Sequence, residues 1–283
     1  MAATTPSSHP AIITGLLTYN RTMNAEHTQE AARLLLTHWR AQNRMAALPP
    51  TCRPASRAEG YAIQAAILKQ SGHPAFGWKI AATSAAGQAH IGVEGPLAGR
   101  LISSQVYASG AQLALGNSLM RVAEIEFAFR MARLLPPRSQ PWSEAEVMDA
   151  VAALHLAIEV PDSRYDDFVH AGAAQLIADC ACADRFVLGP PAPEAWRSLN
   201  LANHEVTGHV TGRAAVTGRG ANVLGDPRIA LTWIANELSR HGIALAEGEV
   251  VTTGTCVVPI SVSPGDQLRA DFGPLGEMSV TFS

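Results

Sequence analysis

The feature that most constrains the fold is the order in which two kinds of hydrophobic periodicity follow each other along the chain. Apolar residues recur at helical spacing over 28–46, and again over 57–70 after a Ser-x-x-Glu capping box. Beyond these segments, short alternating or continuous apolar runs predominate, separated by glycine- and proline-containing turns. Strands and helices do not alternate regularly, which argues against a doubly wound parallel sheet. The order predicts an α+β fold, with a mixed β-roll or sandwich preceded by a helical arm.

Two further helices are predicted inside the strand-rich part. A capping box begins one at Ser143, which we expect to reach about Leu154, and Asp226-Pro227 begins another that runs to about His241. The remaining assignments are a short helix within 171–182, a loop over 83–99, and strands over 76–82, 106–115, 121–131, 155–160, 186–188, 204–210, 213–217, 249–253, 267–272 and 278–282.

The division of the chain follows from the same pattern. We expect a flexible polar tail over 1–27, in which Met23 could serve as an alternative start, and a single domain over 28–283. Within that domain, the helical arm covers 28–72 and the β-rich body covers 73–283.

The composition indicates what kind of partner the chain binds and in which cellular compartment it works. Of the 283 residues, 47% are hydrophobic and 16% charged, which is enough apolar material for a sizeable core. The net charge of −3 gives no general basic field for nucleic acid or an anionic membrane, so a small-molecule partner is expected. No stretch approaches the about 20 apolar residues of a membrane span, and no segment is a convincing signal peptide. The spacing of the cysteines predicts free thiols, so we expect a cytoplasmic location.

Two glutamates fall on one face of a predicted strand. Over 121–131 the residues alternate, which places Glu124 and Glu126 side by side, about 6–7 Å apart along the strand. Their neighbours on the opposite face are apolar. Since like charges this close repel each other, and burial strengthens the repulsion, a hard divalent cation would stabilise the pair. A solvated strand face is the alternative interpretation of this common pattern.

A third carboxylate, Glu159, closes an apolar strand just before the turn 161–164. Strand ends are frequent places for ligand contacts, so Glu159 is a candidate ligand. The alternative is a surface glutamate beside a turn in which Asp162 and Arg164 pair with each other.

Lys79 lies within the apolar run 76–82. Partial desolvation would lower its pKa, which suits acid/base chemistry or the binding of an anionic group. The alternative is a lysine whose ammonium extends from a strand edge into water. His90 and Glu94, four residues apart in the following loop, are a weaker candidate pair for a general base, with an ordinary polar loop as the alternative.

Taken in order, these motifs resemble one known family. Gly77-Trp78-Lys79-Ile80, Glu124-x-Glu126 and the stretch 158–164 resemble the 2-keto-4-pentenoate hydratase group of the fumarylacetoacetate hydrolase superfamily, which includes the 4-oxalocrotonate decarboxylases. The resemblance extends over roughly 28–282, and later parts of the chain agree with it at 222–227, 233–236, 248–254, 264–266 and 271–276.

The resemblance implies a mixed β-roll of the fumarylacetoacetate hydrolase C-terminal-domain type, assembled as a homo-oligomer. It also implies Mg²⁺ (or Mn²⁺) held by Glu124, Glu126 and Glu159, with Lys79 as the catalytic residue beside the ion. The expected ligands are 2-oxo acids or 2-hydroxydienoates from the meta-cleavage of aromatic rings. Further substrate contacts are expected from Arg164, Ser84 and Thr255.

The expected activity is that of a metal-dependent lyase, a hydratase that adds water to a 2-hydroxy-2,4-dienoate. Alternatives on the same metal site are decarboxylation of a 4-oxalocrotonate-type diacid, C–C hydrolysis of an acylpyruvate with His90 and Glu94 as the base, and a non-catalytic relative that binds a 2-oxo acid. The chain departs from the family pattern at one place. Where the hydratases have an acidic residue in a Pro-Asp-x-Gly-like loop, this chain has Leu97 within 95–99.

Overall fold

The computed structural model describes Met1 and residues 23–283, and strands make up the centre of this part of the chain. They are β1 (Ala75–Ala81), β2 (Leu97–Ile102), β3 (Val106–Ala108), β4 (Gln112–Leu113), β5 (Val122–Met131), β6 (Val151–Val160), β7 (Arg185–Pro191), β8 (Glu205–Val210), β9 (Val216–Arg219), β10 (Val250–Thr255), β11 (Ile260–Ser261), β12 (Gln267–Asp271) and β13 (Glu277–Phe282).

The helices begin at residues whose side chains cap them. Asn24, Ser56 and Asp226 each accept a hydrogen bond from a backbone N–H of the first turn, and Ser143 forms a capping box with Glu146. The helices are α1 (Ala25–Ala41), α2 (Arg57–Ser71), α3 (Ala85–His90), α4 (Glu144–Asp149), α5 (Ala173–Ala178) and α6 (Pro227–Arg240).

Across the described residues, the strands form two sheets. The larger has the order β2-β1-β10-β5-β6-β7-β3, with β11 also paired to β5, and the smaller has the order β4-β13-β12-β8-β9. The β1–β10, β3–β7 and β4–β13 pairs are parallel and the other pairs are antiparallel, so both sheets are mixed. This arrangement confirms the predicted α+β class with its mixed, layered sheet.

The larger sheet is covered on both faces. Ile125 and Phe127 of β5 belong to the core between the two sheets, where the Phe127 ring lies 5.3 Å from that of Phe272. Ala128 of the same strand faces the other way and belongs to a second core with Leu35 of α1 and Ile63 of α2. The two N-terminal helices therefore pack on the sheet face opposite the smaller sheet.

Three sequence predictions are wrong in detail. Helix α4 ends at Asp149, and β6 begins at Val151, because the apolar run that we assigned to the end of that helix pairs with β5 as a strand. The predicted loop over 83–99 contains α3 and the start of β2, which pairs with β1. Helix α1 ends at Ala41 rather than at residue 46, and Gln42 follows with a left-handed backbone.

The predicted flexible tail over 1–27 lies mostly outside the described residues, and its last three residues belong to α1. Of the helices described, none is both long and apolar enough to cross a membrane.

Candidate metal centre

Strand pairing brings three glutamates together on the helix-covered face of the larger sheet. Glu124 and Glu126 project from the same face of β5, and Glu159 on β6 lies directly opposite Glu124. One carboxylate oxygen from each lies within 4.8 Å of the other two. Sequence spacing alone predicts the first pair, whereas the third member depends on the register between the strands.

The carboxylate of Glu126 is held through one of its two oxygens. Its Oε2 accepts hydrogen bonds from the Thr252 hydroxyl and, at 2.8 Å, from the backbone N–H of Gly254. Its Oε1 is buried and accepts no hydrogen bond from the described part of the chain. One oxygen is therefore fixed and the other is available to a ligand.

Gly254 can donate this hydrogen bond because β10 is irregular at its end. The pairing with β5 shifts register between Thr252 and Thr255, and Gly254 has a φ of +107°. A Cβ at Gly254 would lie 2.2 Å from Thr83 Oγ1, so both the backbone conformation and the close packing require glycine here.

Glu159 also has buried oxygens that lack donors. Among residues 23–283, neither of its carboxylate oxygens accepts a hydrogen bond of good geometry, although Oε1 lies 3.0 Å from the ammonium nitrogen of Lys79. Buried polar atoms without partners are rare, and each unpaired one is costly. Oxygen donors of this kind fit a hard divalent cation such as Mg²⁺ or Mn²⁺.

The electrostatics of the cluster favour a cation for the same reason. Burial raises the pKa of Glu126 well above its ordinary value, and the neighbouring charges of Glu159 and Glu124 raise it further. Burial also raises the pKa values of Glu159 and Glu124, while Lys79 opposes the effect. A divalent ion among these carboxylates would remove the repulsion that resists their ionisation.

Lys79 is buried beside the cluster and has two acceptors. Its ammonium lies 3.0 Å from Glu159 Oε1 and donates a hydrogen bond to the carbonyl oxygen of Ala181, also at 3.0 Å. Burial disfavours its charge, but the carboxylates of Glu159 and Glu124 outweigh burial, so the pKa of Lys79 is raised. The lowered pKa predicted from the sequence is therefore wrong, because the sequence does not show which charges surround the amine.

Arg164 lies in a different cluster from the one predicted. Its guanidinium is buried and donates to the carboxylate and carbonyl of Asp179, and to the carbonyls of Asp162 and Ala183. The Asp162 carboxylate pairs instead with Arg44 at 3.0 Å. The guanidinium donors of Arg164 are thus engaged by acceptors of the described chain, and its contact with substrate stays a prediction.

The other residues predicted to contact substrate are Ser84 and Thr255, and those predicted to form the base are His90 and Glu94. Ser84 is exposed and caps α3 by accepting a hydrogen bond from Gly87 N at 3.1 Å. Thr255 pairs across the sheet with Glu126, and its hydroxyl donates to Val257 O at 2.7 Å. His90 and Glu94 are both exposed, and no hydrogen bond or ion pair joins these two described residues.

Leu97 occupies the position at which the family resemblance suggested a carboxylate. It is the first residue of β2, is fully buried and pairs with Ala81, which places it on the same sheet face as Lys79. The chain thus has an apolar side chain where the resemblance leads us to expect an acid.

Three polar groups that hold the centre were missed by the sequence analysis. The run Thr252-Thr253-Gly254 at a strand end was a readable signal for the hydroxyl and N–H that bind Glu126. The Ala181 carbonyl had no such signal, because every residue has a carbonyl group and only the tertiary structure selects one.

Comparisons with known proteins agree with this geometry. The chain is 32% identical to a 2-keto-4-pentenoate hydratase of Burkholderia vietnamiensis (strain G4 / LMG 22486) over 242 residues, which is 84% of this chain and 91% of the relative. It is 30% identical to a 4-oxalocrotonate decarboxylase of a Pseudomonas species over 205 residues, 72% of this chain and 77% of the relative.

Among solved structures, a 4-oxalocrotonate decarboxylase from Pseudomonas putida G7, complexed with magnesium and adipate, superimposes with a TM-score of 0.84 at 25% identity. The superposition covers 93% of this chain and all of the other. The family model for the fumarylacetoacetate hydrolase C-terminal domain matches residues 95–283, which contain all three glutamates. The chain therefore belongs to the fumarylacetoacetate hydrolase C-terminal family.

Proposed function

We propose that this chain is a metal-dependent lyase that adds water to a 2-hydroxy-2,4-dienoate and gives a 4-hydroxy-2-oxo acid. The observation that carries the proposal is the convergence of Glu124, Glu126 and Glu159 beside the buried ammonium of Lys79. Relatives named 2-keto-4-pentenoate hydratase, at 28–32% identity, support the substrate class.

The charges of the centre suit an anionic substrate. Three carboxylates and one divalent cation leave one negative charge, so a substrate carboxylate needs a further cation close by. The ammonium of Lys79 supplies it and can hold the anionic group at the edge of the glutamate cluster. Mg²⁺ or Mn²⁺ held by Glu124, Glu126 and Glu159 would supply Lewis-acid stabilisation of negative charge on the 2-oxo oxygen.

We assign the proton step to Lys79. Hydration of the 4,5-double bond places hydrogen on C5 and hydroxyl from water on C4. Formation of the 2-oxo group then moves the enol proton from the 2-hydroxyl to C3, so the site must transfer protons and admit water. The raised pKa of Lys79 keeps the amine protonated at neutral pH. A cation that neutralises the three glutamates would lower this pKa toward the operating pH, which suits a proton donor. The proposal uses no carboxylate at position 97, where the chain has a buried leucine.

The test follows the loss of ultraviolet absorbance of 2-hydroxypenta-2,4-dienoate, with and without Mg²⁺. We expect turnover that requires the metal and falls by about 100-fold or more in Glu126→Gln, because this substitution removes a charged ligand. The exposed strand residue Glu205 provides a matched control, and Glu205→Gln should retain wild-type turnover. Turnover that survives metal removal would contradict the assignment of the centre.

Decarboxylation of a 4-oxalocrotonate-type diacid is the second candidate. It is favoured by the TM-score of 0.84 to a 4-oxalocrotonate decarboxylase over 93% of this chain. Both reactions develop negative charge at the same 2-oxo group, so one set of ligands can serve either. Release of CO₂ from 4-oxalocrotonate, without hydration of the dienoate, would assign this second activity. Metal binding with neither reaction would indicate a binding role for 2-oxo acids.

We further propose that residues 28–283 form one catalytic domain, that the protein is a homo-oligomer and that it works in the cytoplasm. The packing of α1 and α2 on the larger sheet supports the single domain.

The four cysteines are free and buried, as expected for a reducing compartment. Analytical ultracentrifugation of the full chain would test the assembly, and a purely monomeric species would contradict it.

A further inference from the structure

A left-handed turn, formed by Cys180, Ala181 and Cys182, lies beside Lys79 and is not used by the chemistry proposed above. The three residues have φ values of 50°, 49° and 63°, and none is glycine. An L-residue in this region is strained, because its Cβ lies too close to the following carbonyl oxygen. Strain at three successive positions persists only where the surrounding structure holds the backbone in place.

The turn approaches Lys79 because Gly99 leaves room for it. Lys79 and Gly99 are paired across β1 and β2, and a Cβ at Gly99 would lie 1.9 Å from the carbonyl oxygen of Cys180. This close packing brings the carbonyl of Ala181 within 3.0 Å of the Lys79 ammonium. The other acceptor of that ammonium is Glu159, which we propose to be a metal ligand. The Ala181 carbonyl is therefore the contact that locates the ammonium independently of the metal.

Arg164 and Asp179 hold both ends of the turn. Arg164 donates to the carboxylate and the carbonyl of Asp179, which precedes the turn, and at 2.8 Å to the carbonyl of Ala183, which follows it. The Asp179 carboxylate also accepts from Ser163 Oγ at 2.8 Å and from the backbone N–H of Arg164 at 3.0 Å. The side chains of Arg164 and Asp179 are only 4% and 0% exposed, so water does not compete for these bonds.

We propose that Arg164 and Asp179 are positioning residues for Lys79. They hold the strained turn so that the Ala181 carbonyl fixes the ammonium next to the glutamate cluster. Neither residue touches the three glutamates, and both act through the backbone of the turn. The inference rests on the proposed function, because Arg164 and Asp179 influence the reaction only by way of Lys79.

The small number of lysines in the chain makes the environment of the Lys79 ammonium measurable by NMR. Lys69 and Lys79 are its only lysines, so ¹⁵N-lysine labelling of the full chain gives two ammonium signals. Lys69 is exposed and serves as an internal reference, whereas the buried Lys79 ammonium should be protected from exchange with water. The measurement needs no substrate, so it is independent of the identity of the reaction.

Two variants weaken the support of the turn to different extents. Arg164→Lys keeps the charge beside Asp179, but a single ammonium cannot reach Asp179 and Ala183 together. The variant adds a third ammonium signal, which is assigned by its presence in the double variant Arg164→Lys with Lys79→Met. Ser163→Ala removes one hydrogen bond to Asp179 and is the milder change. Arg138→Gln is the matched control, because it removes an ion pair, Arg138 with Glu146 at 2.8 Å, whose members make no hydrogen bond to the turn.

We expect Arg164→Lys to shift the Lys79 signal and reduce its protection, and to lower kcat by about 10- to 100-fold with KM changed by less than about threefold. Mg²⁺ affinity should stay near wild type. Ser163→Ala should give a smaller shift of the same signal, and Arg138→Gln none.

A wild-type Lys79 signal together with wild-type kcat in folded Arg164→Lys would overturn the inference. Should Arg164→Lys not fold, Ser163→Ala decides, and a Lys79 signal no more altered than in Arg138→Gln would overturn it equally. A wild-type chain inactive on both substrates would contradict the proposed function, and the lysine signals would still decide whether the turn positions Lys79.

Discussion

At the scale of single residues, the centre depends on how the two oxygens of Glu126 differ. Thr252 and Gly254 occupy one oxygen, so the carboxylate cannot rotate freely, and the second oxygen is buried and has no donor among the described residues. A ligand oriented in this way pays less conformational entropy on binding a cation than a free side chain would. The backbone N–H of Gly254 therefore belongs to the centre, together with the carboxylate of Glu126 that it holds.

Gly254→Ala should therefore damage both stability and metal binding. A Cβ at a φ of +107° is strained and meets Thr83 at 2.2 Å, so we expect the free energy of unfolding to fall by about 2–4 kcal/mol, with weaker Mg²⁺ binding. Gly92 also has positive φ, at 62°, but has open space around it, so Gly92→Ala separates backbone strain from collision. Urea unfolding and calorimetric Mg²⁺ titration provide the measurements. Equal effects of both variants on Mg²⁺ affinity would refute this account of Gly254.

Lys79→Met should abolish turnover while the metal-loaded chain stays folded. The substitution removes the charge that faces Glu159 and the proposed proton donor, so we expect kcat to fall by about 100- to 10,000-fold. Lys79→Arg keeps the positive charge but should also have a low kcat, because the planar guanidinium does not match the acceptors of a point-charge ammonium. Steady-state kinetics, with circular dichroism as the check on folding, test both. Activity in Lys79→Arg close to wild type would show that only the charge matters.

At the scale of elements, adjacent strands carry the centre because their registers align side chains that are distant in sequence. The pairing of β5 with β6 brings Glu159 opposite Glu124, and β10, which lies between β1 and β5, brings Thr252 opposite Lys79. A slip of one residue in any of these pairs would turn a ligand to the other face of the sheet. Side chains elsewhere on β6 therefore matter for the centre through the stability of that strand.

His155 of β6 makes this strand sensitive to pH. Burial lowers the pKa of His155 from 6.5, as does Arg130, although its hydrogen bond with the Gly189 carbonyl, at 2.9 Å, opposes the effect. A lowered pKa means that folding favours the neutral ring. Its contribution to stability is fully present above pH 6.5 and is lost as the pH falls through the lowered pKa.

We therefore expect wild-type stability to fall below pH 6.5 more steeply than that of His155→Asn, in which an uncharged amide can still donate to Gly189. The difference in slope should be at most about 1.4 kcal/mol per pH unit, the value for one proton. Urea unfolding at a series of pH values measures it. Parallel stability curves for the two proteins would exclude His155 as the source.

At the scale of the whole molecule, the centre lies on the face of the larger sheet that α1 and α2 cover. The opposite face packs against the smaller sheet and forms the larger core, so Glu124, Glu126 and Glu159 are buried or half-buried between layers. Burial strengthens every electrostatic interaction there, which raises the cost of the uncompensated carboxylates and the gain from a cation. Metal binding should consequently be coupled to the stability of the fold.

Mg²⁺ should raise the melting temperature of the wild-type chain and much less that of Glu159→Gln. At about 100 times the dissociation constant, a ligand that binds only the folded state stabilises it by about 2.7 kcal/mol. For a chain of this size that corresponds to a shift of roughly 5 °C or more. Differential scanning calorimetry at fixed Mg²⁺ concentrations measures the shift. Equal shifts in wild type and Glu159→Gln would place the bound ion elsewhere.

The amino-acid sequence by itself determined the features that depend on short spacing. Period-2 alternation placed Glu124 and Glu126 on one face, capping residues marked the starts of α2, α4 and α6, and the ordered motifs indicated the family. Local sterics and hydrogen bonding act over a few residues, so these features can be read directly. The end of α4 was misread because the short apolar run at 151–154 follows the helix directly, and periodicity does not separate strand from helix in so short a run.

Only the tertiary structure decided the remainder of the centre. It set the register that adds Glu159, the bulge that directs the N–H of Gly254 to Glu126, the carbonyl of Ala181 that holds Lys79, and the pairing of Arg164 with Asp179 rather than Asp162. These contacts join positions that are 15 to 128 residues apart in the chain. Their partners are backbone groups or common side chains, and what selects them is the close packing of layers, which no local pattern in the sequence encodes.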